Sequence, residues 1–403
     1  MIRRPRFSNR MQWELSPNRV TLAVAERSAR GLPVIDLTET NPTRVGLAYP
    51  EQELAEVLRS GAGAAYDPHP RGILAAREAL AAELSKPDDQ VSPDDLVLTA
   101  STSESYSHLF KLFADPGDEV LTTAPSYPLL DSLTALDGLG LRHVGLVPER
   151  RFAVEAADVA ALAAAVAPYT KLLAVVHPSN PAGTFLSTEA QAGLSALCAS
   201  RRIPLVSDEV FADYPLADPP PGTRRAGPAA ASGDAMTFSL SGLSKGAGLP
   251  SWKLGWIRIG GPPDARRQVI DALELVTDSY LSVASPVQRA LPGILALAPR
   301  IRAAILDRLR TNLAALRTAL AGLPGITLYE PEGGWSAVLS VFPRDTGRAT
   351  DEDLVLDLLD RTGVRVHPGY FFDFMTEDFL VVSLLPEPAA FAEGVQRLAV
   401  FLG

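Results

Sequence analysis

Leu172–Val176 is an unbroken apolar run, and shorter ones recur at Leu96-Val97-Leu98, Val120-Leu121 and Leu205-Val206. A strand with one face in water alternates apolar and polar residues. A strand that is apolar throughout must be covered on both faces, which predicts a mostly parallel sheet flanked by helices. Strands are expected at Asp95–Thr99, Glu119–Thr123, Gly140–Leu146, Leu172–Val176, Pro204–Ser207, Met236–Leu240 and Leu254–Ile259. Helical patterns separate them at Gly72–Leu84, Glu104–Phe113, Leu129–Leu136, Val159–Val166 and Thr188–Arg201. A further short helix at Val20–Arg30 and a strand at Pro33–Leu37 precede the series. Asp218–Gly222 and Arg225–Gly233 are rich in Pro, Gly and Ala and read as a surface excursion.

Beyond residue 265 the texture changes. Long helical patterns run to Leu320, with Pro286, Pro292 and Pro299 expected as breaks. Strands near Gly334–Val341 and Phe379–Leu384 enclose a helix at Thr350–Arg361. This predicts a large α/β domain over 46–280 and a smaller α+β domain from 1–45 and 281–403. The length of 403 residues suits such a division, and 47% hydrophobic content excludes global disorder. A net charge of −10 argues against nucleic acid as the main partner. The single cysteine, Cys198, excludes a disulfide framework and a two-cysteine zinc site; no metal is expected. No long apolar run follows the arginine-rich start, so a cytoplasmic location and no membrane partner are the expectation.

Ligands of open parallel sheets bind beyond the carboxyl ends of the strands. The residues that follow each strand are therefore the candidates. Ser101, Thr102 and Ser103 open a helix, where hydroxyls and free N–H groups favour an anion; they also serve as ordinary caps. Tyr127 follows the next strand as a flat platform or a core ring. Asn180 sits between two prolines in His177–Gly183, as a directed amide or an Asx-turn residue. Asp208 ends a buried strand, where a lone carboxylate needs a cationic partner. Lys245 lies in the loop Ser241–Gly246, and Lys253 follows eight residues later. Only five of the 37 basic residues are lysines, so few side chains can supply amine chemistry.

Asn180-Pro181-Ala182-Gly183, Ser207-Asp208-Glu209 and Ser244-Lys245 with Lys253 beyond, in this order and spacing, resemble the aspartate aminotransferase family, fold type I of the pyridoxal-phosphate enzymes. The resemblance runs from about Asp36 to the end. It implies a seven-stranded, mostly parallel sheet, pyridoxal 5'-phosphate as cofactor, and transfer of an amino group between an amino acid or amine and a 2-keto acid. It further implies that Lys245 forms the Schiff base and moves the proton, and that Asp208 pairs with the pyridine nitrogen. Asn180 would donate to the ring oxygen and Tyr127 would stack on the ring. Thr102, Ser103, a loop serine (Ser241 or Ser244) and Lys253 would hold the phosphate, beside Ser101. Tyr66 matches a residue that reaches the neighbouring subunit's site, which implies a homodimer. Thr40, Trp335, Tyr370 and His367 are candidates for the substrate pocket. A lyase or decarboxylase on the same lysine, and a non-catalytic protein of the same fold, are the alternatives.

Three positions depart from the pattern. Lys253 stands where the family usually has arginine. Phe211 stands where a tyrosine is common, so one donor to the cofactor's ring oxygen is missing. Val381 falls where an arginine usually clamps the substrate carboxylate in two parallel hydrogen bonds. Arg44, Arg71 and Arg365 are the candidates to replace it.

Overall fold

A computed structural model describes residues 7–11, 16–66, 68–231, 233–341, 350–376 and 378–403. The expectations touching residues 1–6, 67, 232 and 342–349 lie outside the described residues.

The large sheet has seven strands: β1 (Leu96–Thr99), β2 (Glu119–Ala124), β3 (Gly140–Gly145), β4 (Thr170–Val176), β5 (Leu205–Asp208), β6 (Thr237–Gly242) and β7 (Gly255–Gly260). Their order is β1-β7-β6-β5-β4-β2-β3, and all pairings are parallel except those of β7. Alternate residues of the apolar runs enter different cores. Val120, Leu172 and Val206 pack with the helices Thr102–Phe113 and Pro263–Tyr280. Leu121, Leu173 and Leu205 pack on the opposite side with Leu162, Leu194 and Leu197. Both faces are dry, as the unbroken runs require.

The smaller domain holds an antiparallel sheet of β8 (Ile326–Tyr329), β9 (Ser336–Val341), β10 (His367–Pro368) and β11 (Phe379–Ser383), in the order β10-β11-β9-β8. The helices Asp351–Thr362 and Pro388–Leu402 pack beside it. A short parallel pairing of Ile35–Asp36 with Val364–Arg365 returns the start of the chain to this domain.

The expected breaks between 285 and 320 are corrected. One helix runs from Ser285 to Leu320, with Pro286 in its first turn and Pro292 and Pro299 inside it. A proline in a helix interior costs about 3 kcal/mol. Here the helix buries Ile294, Leu295, Ile301, Ile305, Leu309, Leu313 and Leu316, and that burial outweighs the penalty. The partner helix Glu51–Gly61, not anticipated from sequence, lies against it: a Cβ on Gly293 would stand 2.8 Å from Val57, and one on Gly61 2.2 Å from the Pro286 carbonyl. No single helix among the described residues is long and apolar enough to cross a membrane.

Candidate active site

The parallel strands end along one edge of the large sheet, and the antiparallel β7 begins there. A cavity of about 800 Å³ opens on that edge and is closed on its far side by the small domain. Ser101, Thr102, Ser103, Tyr127, Asn180, Asp208, Ser244, Lys245, Lys253, Thr40 and Trp335 all line it. Val381 and His367 line it from the small domain.

Ser101 caps the helix Thr102–Phe113, its hydroxyl accepting from the Glu104 N–H at 3.1 Å. The N–H groups of Thr102 and Ser103 in the same turn have no partner among the described residues. A helix start in this state presents partial positive charge to an anion. The closeness of β7 depends on glycine: a Cβ on Gly255 would lie 3.2 Å from the Thr102 nitrogen and 3.1 Å from the Ser241 carbonyl. Lys253 enters the cavity from a left-handed residue (φ 38°) just before β7. Of the two candidate serines only Ser244 lines this cavity; Ser241 lines a separate one beneath the Lys245 turn.

Asp208 is 2% exposed at the end of β5. Its Oδ1 accepts from the Val210 N–H at 3.2 Å, and the buried Tyr106 phenol is close enough to help lower its pKa. Burial pushes its pKa up to about 6, against the opposing pull of these donors and of Lys245. No basic side chain is hydrogen-bonded to it among the described residues. Tyr106, buried on the core face of its helix, carries no sequence signal that separates it from a packing residue.

Lys245 follows β6 in the single turn Leu243–Gly246. The Tyr214 hydroxyl fixes that turn by donating to the Lys245 carbonyl at 2.5 Å. The ammonium nitrogen lies 4.8 Å from the centre of the Trp335 ring and 5.8 Å from that of Phe211. Burial pulls the amine down to about 8, with Asp208 and Glu39 acting the other way. Glu39 is a charge that the sequence did not single out. Trp335 is held by edge-on contacts to Phe211 (5.4 Å) and Tyr214 (5.1 Å).

The loop carrying Asn180 is braced. Ser179 and Thr184 hydroxyls lie 2.7 Å apart, and the Gly183 N–H donates to the Ser179 carbonyl at 2.8 Å. The buried His177 accepts from the Leu186 N–H at 2.9 Å through Nδ1, and burial drops its pKa to about 4, so it is a neutral strut. Tyr127 also lines the cavity, its phenol pushed up to about 12 by burial.

Two candidates stand elsewhere. Tyr370 is not on the cavity wall; its hydroxyl donates to Glu352 Oε1 at 3.0 Å. Tyr66 is 67% exposed on the surface. The three arginines proposed for the carboxylate are also away from the wall. Arg71 pairs with Glu274 at 2.6 Å, Arg365 with Asp36 at 3.0 Å, and Arg44 is exposed.

The aminotransferase class I and II model matches residues 34–398, and the chain belongs to that family. Alanine aminotransferase of Mycobacterium tuberculosis is 28% identical over 382 residues, covering 94% of this chain and 87% of that protein. Human tyrosine aminotransferase is 27% identical, covering 91% and 80%. Among solved structures, alanine aminotransferase from Pyrococcus furiosus superposes with a TM-score of 0.87 at 23% identity over 98% of this chain and 99% of that one. An aspartate aminotransferase double mutant from Thermus thermophilus does so at 0.83 and 22%, over 99% and 100%. The protein is a class I and II aminotransferase with the aspartate aminotransferase fold, and its family membership implies pyridoxal 5'-phosphate.

Proposed function

We propose that this aminotransferase holds pyridoxal 5'-phosphate in the 800 Å³ cavity and moves an amino group between an amino acid and a 2-keto acid with Lys245 as its reacting amine. The observation that carries the reading is Lys245 and the buried Asp208 in one cavity, each displaced toward its neutral form by burial. When bound, pyridoxal phosphate supplies an aldehyde for amines and a ring that withdraws electrons from the substrate's Cα.

The residues fit that group. Asp208 is a buried carboxylate without a bonded cation, and a protonated ring nitrogen is the partner it lacks. The Val210 N–H holds the carboxylate in place for it. The free N–H groups of Thr102 and Ser103, the Ser244 hydroxyl and Lys253 suit a phosphate dianion. Lys253 contributes charge without the planar fork of arginine. Tyr127 offers a ring to stack on, and Asn180 an amide for a ring oxygen.

Lys245 has the pKa for its work. At about 8 a useful fraction is unprotonated near neutral pH, so it is both a nucleophile for an aldehyde and a base for a Cα proton. The apolar walls of Phe211, Trp335 and Leu254 exclude water around it, which strengthens every charge interaction inside.

The active unit of this reading is a homodimer. Tyr66 sits on an exposed loop whose Ala65 carbonyl accepts from Arg289 at 2.6 Å and whose His69 carbonyl accepts from Ser282 at 3.2 Å. Tyr280 and Leu281, next to Ser282, are 52% and 72% exposed. A second copy covering this apolar surface would bring Tyr66 toward its neighbour's cavity.

Borohydride treatment of the purified protein followed by peptide mapping tests the assignment. The expected result is a cofactor adduct on Lys245, with no adduct and no amino transfer in Lys245→Ala. An adduct on another lysine overturns it.

A further inference from the structure

An amino-acid substrate brings an α-carboxylate into the cavity, and no arginine among the described residues lines the wall to receive it. Val381 occupies the place where the sequence pattern puts the clamp, and it is 1% exposed. The antiparallel ladder of β10 and β11 pairs His367 with Val381. Residues directly opposite in such a ladder point to the same face, with Cβ atoms about 5 Å apart. Both line the cavity, so the imidazole stands one strand across from the missing clamp.

The ring is placed to receive a ligand. It makes no hydrogen bond to the described residues, and its nitrogens are not among the polar atoms sealed from solvent without a partner. Phe371 (5.5 Å) and Phe372 (5.7 Å) pack against it, tilted and edge-on. The neighbouring cation is committed elsewhere, since Arg365 pairs with Asp36. Lys253 lines the same cavity from the sheet edge, two residues before Gly255, which abuts the Thr102 nitrogen.

We propose that His367 binds the substrate α-carboxylate in this enzyme, the receiving group having moved across the β10–β11 ladder from the position now held by Val381. A neutral imidazole offers one N–H to the carboxylate, a single charge-assisted hydrogen bond in place of a bidentate fork. The inference rests on the transamination reading above and deepens it.

The test compares amino-acid donors with the matching amines that lack the carboxylate, in the holoenzyme, for the parent, His367→Phe, His367→Gln and His367→Phe/Val381→Arg. Loss of a hydrogen bond to a charged group predicts a rise of about tenfold to a hundredfold in KM for the amino acid in His367→Phe. kcat changes less than KM, and the preference for the carboxylate-bearing donor collapses. His367→Gln, which keeps an N–H donor, retains part of the preference. Val381→Arg restores it in the double variant. Calorimetric titration with propionate, which binds without reacting, is expected to weaken in parallel. Unchanged KM and propionate affinity in a folded His367→Phe overturn the inference while leaving the transamination reading intact. A parent protein that transaminates no donor overturns the reading itself.

Discussion

Lys245 and Asp208 set the protonation economy of the site, and their shifts have a sign that stability measurements can read. A lysine whose folded pKa is about 8, below its unfolded 10.5, makes the fold less stable at neutral pH by on the order of 3 kcal/mol. The unfolded chain binds more protons between those values, so this penalty fades as pH rises from about 8 to above 10. In protein stripped of cofactor, Lys245→Met should therefore raise Tm at pH 7, and the gap to the parent should close towards pH 10. A gap that widens with pH contradicts the sign. Asp208 has the opposite dependence: its pKa is raised to about 6, so its penalty grows as pH rises through the interval from 3.8 to 6. Asp208→Ala should lower kcat/KM by about a hundredfold or more, since it removes one partner of a buried charge pair. Phe211 packs against Trp335, with no phenol to offer the cofactor. Phe211→Tyr should shift the pH midpoint of the bound cofactor's absorbance downward, which a spectroscopic titration reads directly. Lys245, Asp208 and Asn180 were legible from sequence because each follows a strand end in a recognisable order. Tyr106 and Glu39 were not, because a buried tyrosine and a loop glutamate look alike whether or not a charge lies beside them.

The loop between β4 and the helix Thr188–Arg201 shows how an element carries the site. Gly183 has φ +73°, and a Cβ there would stand 2.4 Å from the Gly333 carbonyl and 2.7 Å from Pro331. The Gly183 carbonyl in turn accepts the N–H groups of Glu332 and Gly333 at 3.0 and 2.9 Å. The Asn180 loop is thus fastened to the small domain by these backbone bonds and by Ala182, which packs with Val338, Phe379 and Val381. Gly183→Ala should destabilise by at least about 2 kcal/mol and displace Asn180, read as a lower Tm together with weaker cofactor retention. The helix Thr102–Phe113 was predicted two residues late, because Thr102 and Ser103 read as cap and are in fact its first turn. The helix Ser285–Leu320 was misread at its prolines because local propensity is weaker than the burial of a whole apolar face.

The two domains meet over the cavity, the large sheet supplying the charged edge and the small domain the apolar wall. Trp335, His367 and Val381 reach that wall from strands far from Lys245 in sequence. The proposed homodimer makes its own prediction at this scale. Sedimentation should give a dimer, and an equal mixture of Tyr66→Ala and Lys245→Ala subunits should regain activity above that of either variant alone. Each mixed dimer would hold one site with both residues intact. Activity no higher than the sum of the two variants would place Tyr66 outside its neighbour's site.

Unbroken apolar runs were enough to define a sheet covered on both sides, since a strand has only two faces and none of the runs left a polar one. The strand-end residues were likewise sufficient to locate an amine, a carboxylate and an anion seat on one edge. Which serine faces the cavity, that Tyr370 turns away to Glu352, and that an imidazole sits opposite Val381 were decided only when the chain folded. Those outcomes depend on ladder register and on side-chain packing between elements, and no local pattern encodes either.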